Sequence, residues 1–433
     1  MFLEKEGKLI YSYDGETVCI EAWGKDALRV RATKNRSFTG RDWALEAKDA
    51  HAGEVEIFED PSAKGGAFAN MYEGTDTSYG KITNGKLHAV IDSGSVITFY
   101  HEDGRVLLKE HFRRLRDEES MPLNIMGREY SNGVGDNFRI VTRFVARKGE
   151  KIFGMGQYQQ HELDLKGCML ELAQRNSQVS VPFYLSSIGY GFLWNNPGVG
   201  QVMFANNGTE WVTESGKEID YLVIAGDTPA EIEENYMTLT GKPPMMPEYG
   251  MGFWQCKLRY WNQEQLLSVA RKYKELGVPL DVIVVDFFHW TKQGEFKFDP
   301  KYWPDVPGMC RELKEMGIQV VVSVWPTVDI YSENFEEMKE KGYLVRTEHG
   351  VPLTMLCGGN EVFFDATNPD ARTYVWEKIK KNYYDQGAKL FWLDVAEPEY
   401  SVYDFKNYRY QLGSVQEVGN IYPKYYLKAF YDA

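Results

Sequence analysis

The sequence predicts a multidomain β plus α/β chain. An antiparallel β-sandwich fills residues 1–245, and the first half of a (β/α)8 barrel fills 246–433. Three observations predict it. Short period-two segments separated by dipeptide turns dominate the first part. A proline-rich stretch, GKPPMMP at 241–247, interrupts that pattern. Beyond it, apolar strands alternate with amphipathic helices, the signature of βα units around a parallel sheet.

In chain order, the alternating segments are TVCIEAWG, ALRVRAT, KLHAVID, VITFYHE, NFRIVTRFVA, QVMFANN and EIDYLVIAG. Turn signals at Asp14-Gly15, Asn84-Gly85, Asp103-Gly104, Asn132-Gly133 and Asn207-Gly208 punctuate them. Residues 228–240 read as the one helix of this part, opened by a capping box from Thr228 to Glu231. After the junction, strand 249–255 precedes helix 263–276, and strand 282–287 precedes a helix near 305–316. Strand 318–325 precedes helix 332–341. A small insertion around 342–366, with a hairpin-like piece GYLVRTEHGVPLTM, leads to helix 369–386. Strand 388–395, a long loop and helix 422–432 complete the order. A complete barrel needs eight strands and about 250 residues, whereas four strands are legible here. The alternatives are a smaller open sheet or a chain that stops within a barrel. The ending YYLKAFYDA, inside helical patterning with no glycine stop, favours the second.

Composition sets the function classes. Of 433 residues, 43% are hydrophobic and 26% charged, enough for more than one buried core. The 49 basic and 63 acidic side chains leave a formal charge of −14. Such a surface repels phosphate backbones and anionic lipid, so no nucleic acid or membrane partner is expected. Abundant aromatics suit sugar-ring stacking and large β-rich cores equally well. The cysteines (Cys19, Cys168, Cys256, Cys310, Cys357) are scattered and never form CxxC. Reduced, mostly buried thiols in a cytoplasmic protein are expected, with neither a disulfide framework nor a zinc site. The N-terminus has no signal-peptide-like apolar run, which leaves the Asn207 sequon without a role.

In βα barrels, chemistry collects at the C-terminal ends of the strands. Asp286 closes VIVVD and Asp394 closes KLFWLD, each an acid after an apolar run, where burial needs a reason. Neither is followed at once by a helix that it would cap. Glu397 lies in the loop after Asp394.

Around Asp394 the segment AKLFWLDVAEPE resembles the nucleophile strand of glycoside hydrolase family 31, in its α-xylosidase-like branch. GFWQCKLRYWNQEQ, VVDFFHW, FDPKYWPDVPGMCRELKEMGIQVVVSVWP, FFDATNPDAR and GNIYPKYYLKAF continue the resemblance in order. So do the upstream IFGMGQYQQ and QRNSQVSVPFYLSSIGYGFLWNNPG. The resemblance implies a galactose-mutarotase-like sandwich, an oligosaccharide substrate, no cofactor or metal, and a retaining mechanism with Asp394 as nucleophile. It further implies that Asp286 binds sugar hydroxyls, that Trp325 and Trp392 line the pocket, and that Glu397 accompanies the nucleophile. Lys257–Trp261 would approach the pocket or the aglycone. Phe287 and Phe288 stand where α-glucosidases of the family carry a smaller aliphatic residue, which favours α-xylosides over α-glucosides. The acid/base aspartate belongs to a W-x-G-D segment that this sequence lacks. The alternatives are an α-glucosidase or a non-catalytic carbohydrate-binding remnant. Homo-oligomers are common in the family.

Other signals fail on their own terms. His161-Glu162 is followed by Leu165 where a zincin needs histidine, and Gly154-Met155-Gly156 lacks a third glycine. No GK[ST] motif occurs. His289 deserves inspection because it follows the Asp286 strand.

Overall fold

The computed structural model describes residues 1–46, 49–59, 78–92, 94–111, 113–115, 123–350, 360–400 and 403–432. The chain divides into two compact units: Met1–Ala173 with Ser177–Pro243, and Gln174–Asn176 with Pro244–Ala433.

The first unit is antiparallel throughout its main sheets. The largest runs in the spatial order Phe2–Lys5, Lys8–Tyr13, Glu16–Trp23, Ala27–Thr33, Ile219–Ala225, Tyr190–Trp194, Val179–Ser186, Ile152–Gln157. A second sheet orders Val106–Lys109, Ile97–His101, Leu87–Ile91, Ser78–Asn84 and Glu54–Glu59. A third orders Arg128–Asn132, Phe138–Phe144, Gly208–Gly216, Gly200–Ala205 and Met169–Leu172. One core draws Val30 and Tyr221 from the first sheet, Ala89 and Phe99 from the second, and Phe144 and Trp211 from the third. Ile219–Ala225 is buried at every position. Alternation explains this: Tyr221 and Val223 join the large core, while Leu222 and Ile224 face Ile232 and Leu239 of helix Pro229–Thr240. Thr228 caps that helix by accepting from Glu231 N, but Glu231 reaches back to Asp227 N rather than to Thr228.

The second unit holds a four-stranded parallel sheet, in the order Trp254–Lys257, Val282–Val285, Gln319–Val324, Leu390–Leu393. Helices Gln263–Glu275, Val306–Glu315, Phe335–Glu340 and Pro369–Ile379 lie between successive strands, and Tyr422–Tyr431 follows the last. Phe391, on the helix-facing side of the sheet, meets Trp376 and Phe430. Val282, Val284, Val321 and Leu390 share the opposite face.

Several expectations need correction. Residues 249–251 belong to a 3-10 turn, and the strand begins only at Trp254. Gly252 lies so close to Asp281 that an added Cβ would overlap its carboxylate, and Phe253 N donates to the same side chain. The second strand stops at Val285 because Asp286 turns to accept from Phe287 N. Helix 369–386 is α-helical to Ile379, then widens into a π turn over Lys380–Tyr384, ending before Gly387 at φ 107°. Helix 332–341 shortens to Phe335–Glu340. The hairpin expected within 342–355 is not formed by its described part: Arg346–Thr347 pairs with Tyr408–Arg409 instead. Residues 351–359, Cys357 included, lie outside the described residues. The thiols are less buried than expected, since only Cys19 of the four described is buried and Cys256 is exposed.

Candidate active site

Strand register decides which side chains meet. Cys256, Val284, Val321 and Leu390 stand at one level across the four strands. With a period of two, the positions further along that same face are Asp286 on the second strand, Ser323 and Trp325 on the third, and Trp392 and Asp394 on the fourth. The two acids and the tryptophan therefore converge just past the C-terminal ends of their strands.

Asp394 is held on three sides. Trp325 Nε1 donates to its Oδ2 at 3.1 Å, and Val395 N donates to its Oδ1 at 3.0 Å. Its own N–H donates to Val324 O and Trp392 O, each at 3.1 Å. No cation pairs with it among the described residues. Burial pushes its pKa above the ordinary carboxylate value and the charge of Asp286 adds to the rise, while the two donated hydrogen bonds oppose it. Asp286 repeats the device: its Oδ1 accepts from Phe287 N at 2.8 Å.

After each acid the backbone enters the left-handed region, at Val395 (φ 57°) and Phe288 (φ 66°). Neither is a glycine, and such a conformation costs about 1–3 kcal/mol that the surrounding packing must offset.

The aromatic residues form a continuous surface. Phe287 stacks on Trp325 with ring centroids 4.9 Å apart, and Phe288 lies 4.2 Å from Phe287. Phe288 is half exposed. Trp392 sits inside its strand rather than at its end, 42% exposed on the face that carries Asp394. Glu397 lies in the following loop, its Oε2 buried without a hydrogen-bond partner among the described residues. Burial raises its pKa, with further contributions from Glu399 and Asp394.

His289 is a packing residue. Its Nδ1 lies 3.0 Å from Asp286 O and its Nε2 lies 2.9 Å from the Tyr383 hydroxyl. Complete burial lowers its pKa to about 4, so it is neutral and props the turn after Asp286.

Two neighbours escaped the sequence reading. Cys256 Sγ lies 3.7 Å from Asp286 Oδ2, a contact that only the cross-strand register reveals. Arg175 stacks on Tyr403 and Phe405, and Gln174–Asn176 groups with the second unit. In the segment Lys257–Trp261, the Arg259 guanidinium lies over the Trp261 and Phe288 rings.

Residues 243–433 match the family model for the glycosyl hydrolases family 31 TIM-barrel domain. The chain is 45% identical to an uncharacterized family 31 glucosidase, ORF2, of Pseudescherichia vulneris, over 99% of this chain and 80% of that protein. It is 30% identical to alpha-xylosidase A of Aspergillus niger, over 94% of this chain and 58% of that protein. A solved GH31 alpha-xylosidase from a soil metagenome, complexed with xylose, superposes with a TM-score of 0.92 at 50% identity. That match takes in all of this chain and 63% of that enzyme. By sequence and by fold, the chain belongs to glycoside hydrolase family 31.

Proposed function

We propose that the chain supplies the nucleophile side of a retaining α-glycoside hydrolase acting on terminal α-linked xylose. One observation carries the reading: the Asp394 carboxylate at the end of the fourth parallel strand is aimed by two N–H donors and, among the described residues, neutralised by no cation. A nucleophile needs that combination of fixed direction and unspent charge. Asp394 would form a bond to the anomeric carbon as the glycosidic bond breaks, giving a β-glycosyl-enzyme. Water would then release the sugar with its α configuration restored. Retaining enzymes set their two carboxyl groups about 5–5.5 Å apart. The partner that protonates the leaving oxygen is expected in a W-x-G-D segment, which these 433 residues do not contain.

On this reading Asp286 accepts hydrogen bonds from sugar hydroxyls, and Trp325 and Trp392 wall the sugar. Glu397 supports the nucleophile loop. The parallel sheet corresponds to the first half of a (β/α)8 barrel, and the antiparallel unit to a β-sandwich. Phe287 and Phe288 fill the space that the hydroxymethyl group of a glucoside would need, an exclusion of about 1–3 kcal/mol. The α-xylosidase names of the Aspergillus niger and soil-metagenome relatives support the xyloside. The glucosidase name of the Pseudescherichia relative keeps an α-glucoside as the second reading.

The test uses the full-length gene product with aryl α-xyloside and aryl α-glucoside. Asp394→Ala is expected to lower kcat by on the order of 10⁴-fold or more. Near-normal turnover in that variant would remove Asp394 from the role, and a glucoside preference in the parent would reverse the assignment to Phe287 and Phe288.

A further inference from the structure

Arg259 is a cation beside this site, and it is stacked on two aromatic rings. Its Cζ lies 4.0 Å from the Trp261 ring centroid and 5.0 Å from that of Phe288. Its Nη1 donates to Phe288 O at 3.3 Å. Both rings are open to solvent, Trp261 at 59% and Phe288 at 50%. Among the described residues, no carboxylate pairs with Arg259 or with its neighbour Lys257. This is notable in a chain of formal charge −14, at the end of the sheet where Asp286 and Asp394 both stand.

Position relative to the nucleophile follows from a series of contacts. Asp394 meets Trp325, Trp325 stacks on Phe287, Phe287 meets Phe288, and Phe288 carries the guanidinium. A sugar bonded to Asp394 would occupy the Trp325 end. The group it leaves behind would lie further out, beside Arg259 and Trp261. With Nη1 bonded to Phe288 O, the guanidinium keeps its other N–H donors uncommitted to any carboxylate among the described residues, and such a fork matches a carboxylate in bidentate geometry. The ring contacts leave the guanidinium charge without a counter-ion among the described residues.

We propose that Arg259, in contact with Trp261 and Phe288, recognises a carboxylate on the leaving group. The preferred substrate is then a terminal α-linked sugar attached to an acidic residue, such as a uronic acid or an aromatic acid. The inference rests on the α-glycosidase reading above and adds the chemical class of the aglycone.

The experiment uses the full-length gene product and matched probes: 4-carboxyphenyl α-xyloside and its methyl ester, with the two glucoside counterparts. Arg259→Met keeps the stem that lies along the rings, Arg259→Lys keeps the charge without the fork, and Arg259→Ala removes both. Arg259→Met and Arg259→Ala are expected to lower kcat/KM on the acid about ten- to hundredfold, mainly through KM, and on the ester by less than about threefold. Arg259→Lys is expected to fall between, and added salt is expected to erode the parent's preference for the acid. Equal losses on acid and ester would overturn the proposal in favour of a platform for neutral sugars. Unchanged kinetics in all three variants would overturn it outright. A parent that cleaves none of the four probes would instead sink the α-glycosidase reading on which it rests.

Discussion

The indole N–H of Trp325 is the side-chain donor that reaches the Asp394 carboxylate. It stabilises the ionised form, opposing the rise that burial imposes. Activity that needs ionised Asp394 is lost as pH falls through its raised pKa, so deleting this donor moves the loss to higher pH. Trp325→Phe is expected to shift the acid limb of kcat/KM upward by about one pH unit in the half-buried setting. A pH–rate profile of the full-length enzyme checks it. Away from the site, burial and the nearby Asp329 raise Glu361 from its ordinary 4.5 to about 8. Between those values the folded chain holds a proton that the unfolded chain has released, so stability falls as pH rises across that window. Glu361→Gln is expected to gain on the parent by up to about 1.4 kcal/mol per pH unit there, read as a widening Tm difference between about pH 5 and about pH 8. At this scale the acids were legible because a charged residue closing an apolar run is conspicuous. The Cys256–Asp286 contact was not, because residues thirty apart in sequence meet only through register.

Elements were legible in kind and less so in extent. The parallel strands and their helices follow from hydrophobic period, but their ends are set by single side chains. Asp286 ends a strand by folding back on Phe287 N, and Gly252 delays another through its contact with Asp281. The π turn at Lys380–Tyr384 left no trace in the hydrophobic pattern, because one wider turn shifts the spacing too little to read. Asn368 shows how much a cap carries: its Oδ1 accepts from Asp370 N at 2.9 Å and Ala371 N at 3.4 Å, opening helix Pro369–Ile379. Asn368→Ala is expected to cost about 1 kcal/mol, seen as a Tm lower by about 2–4 °C for a unit of this size.

For the molecule as a whole, division into a β-rich and an α/β unit was legible because hydrophobic period changes at the prolines. The grouping of Gln174–Asn176 with the second unit was not, because three residues carry no period. The sheet face that bears the acids also bears Trp254 at 44% and Trp392 at 42% exposure. Open indole surface of this kind attracts apolar probes. The 433-residue polypeptide is expected to enhance the fluorescence of an anilinonaphthalene dye, and a Trp254→Gln, Trp392→Gln double variant is expected to lose about half of that signal. Dye titration against both proteins checks it. The shared level of Cys256, Val284, Val321 and Leu390 has one further consequence, for how such a gene tolerates length changes. Codons can come and go in the surface connections, whereas a single codon gained or lost between Leu390 and Asp394 inverts the phase of the fourth strand and points the carboxylate at the helices.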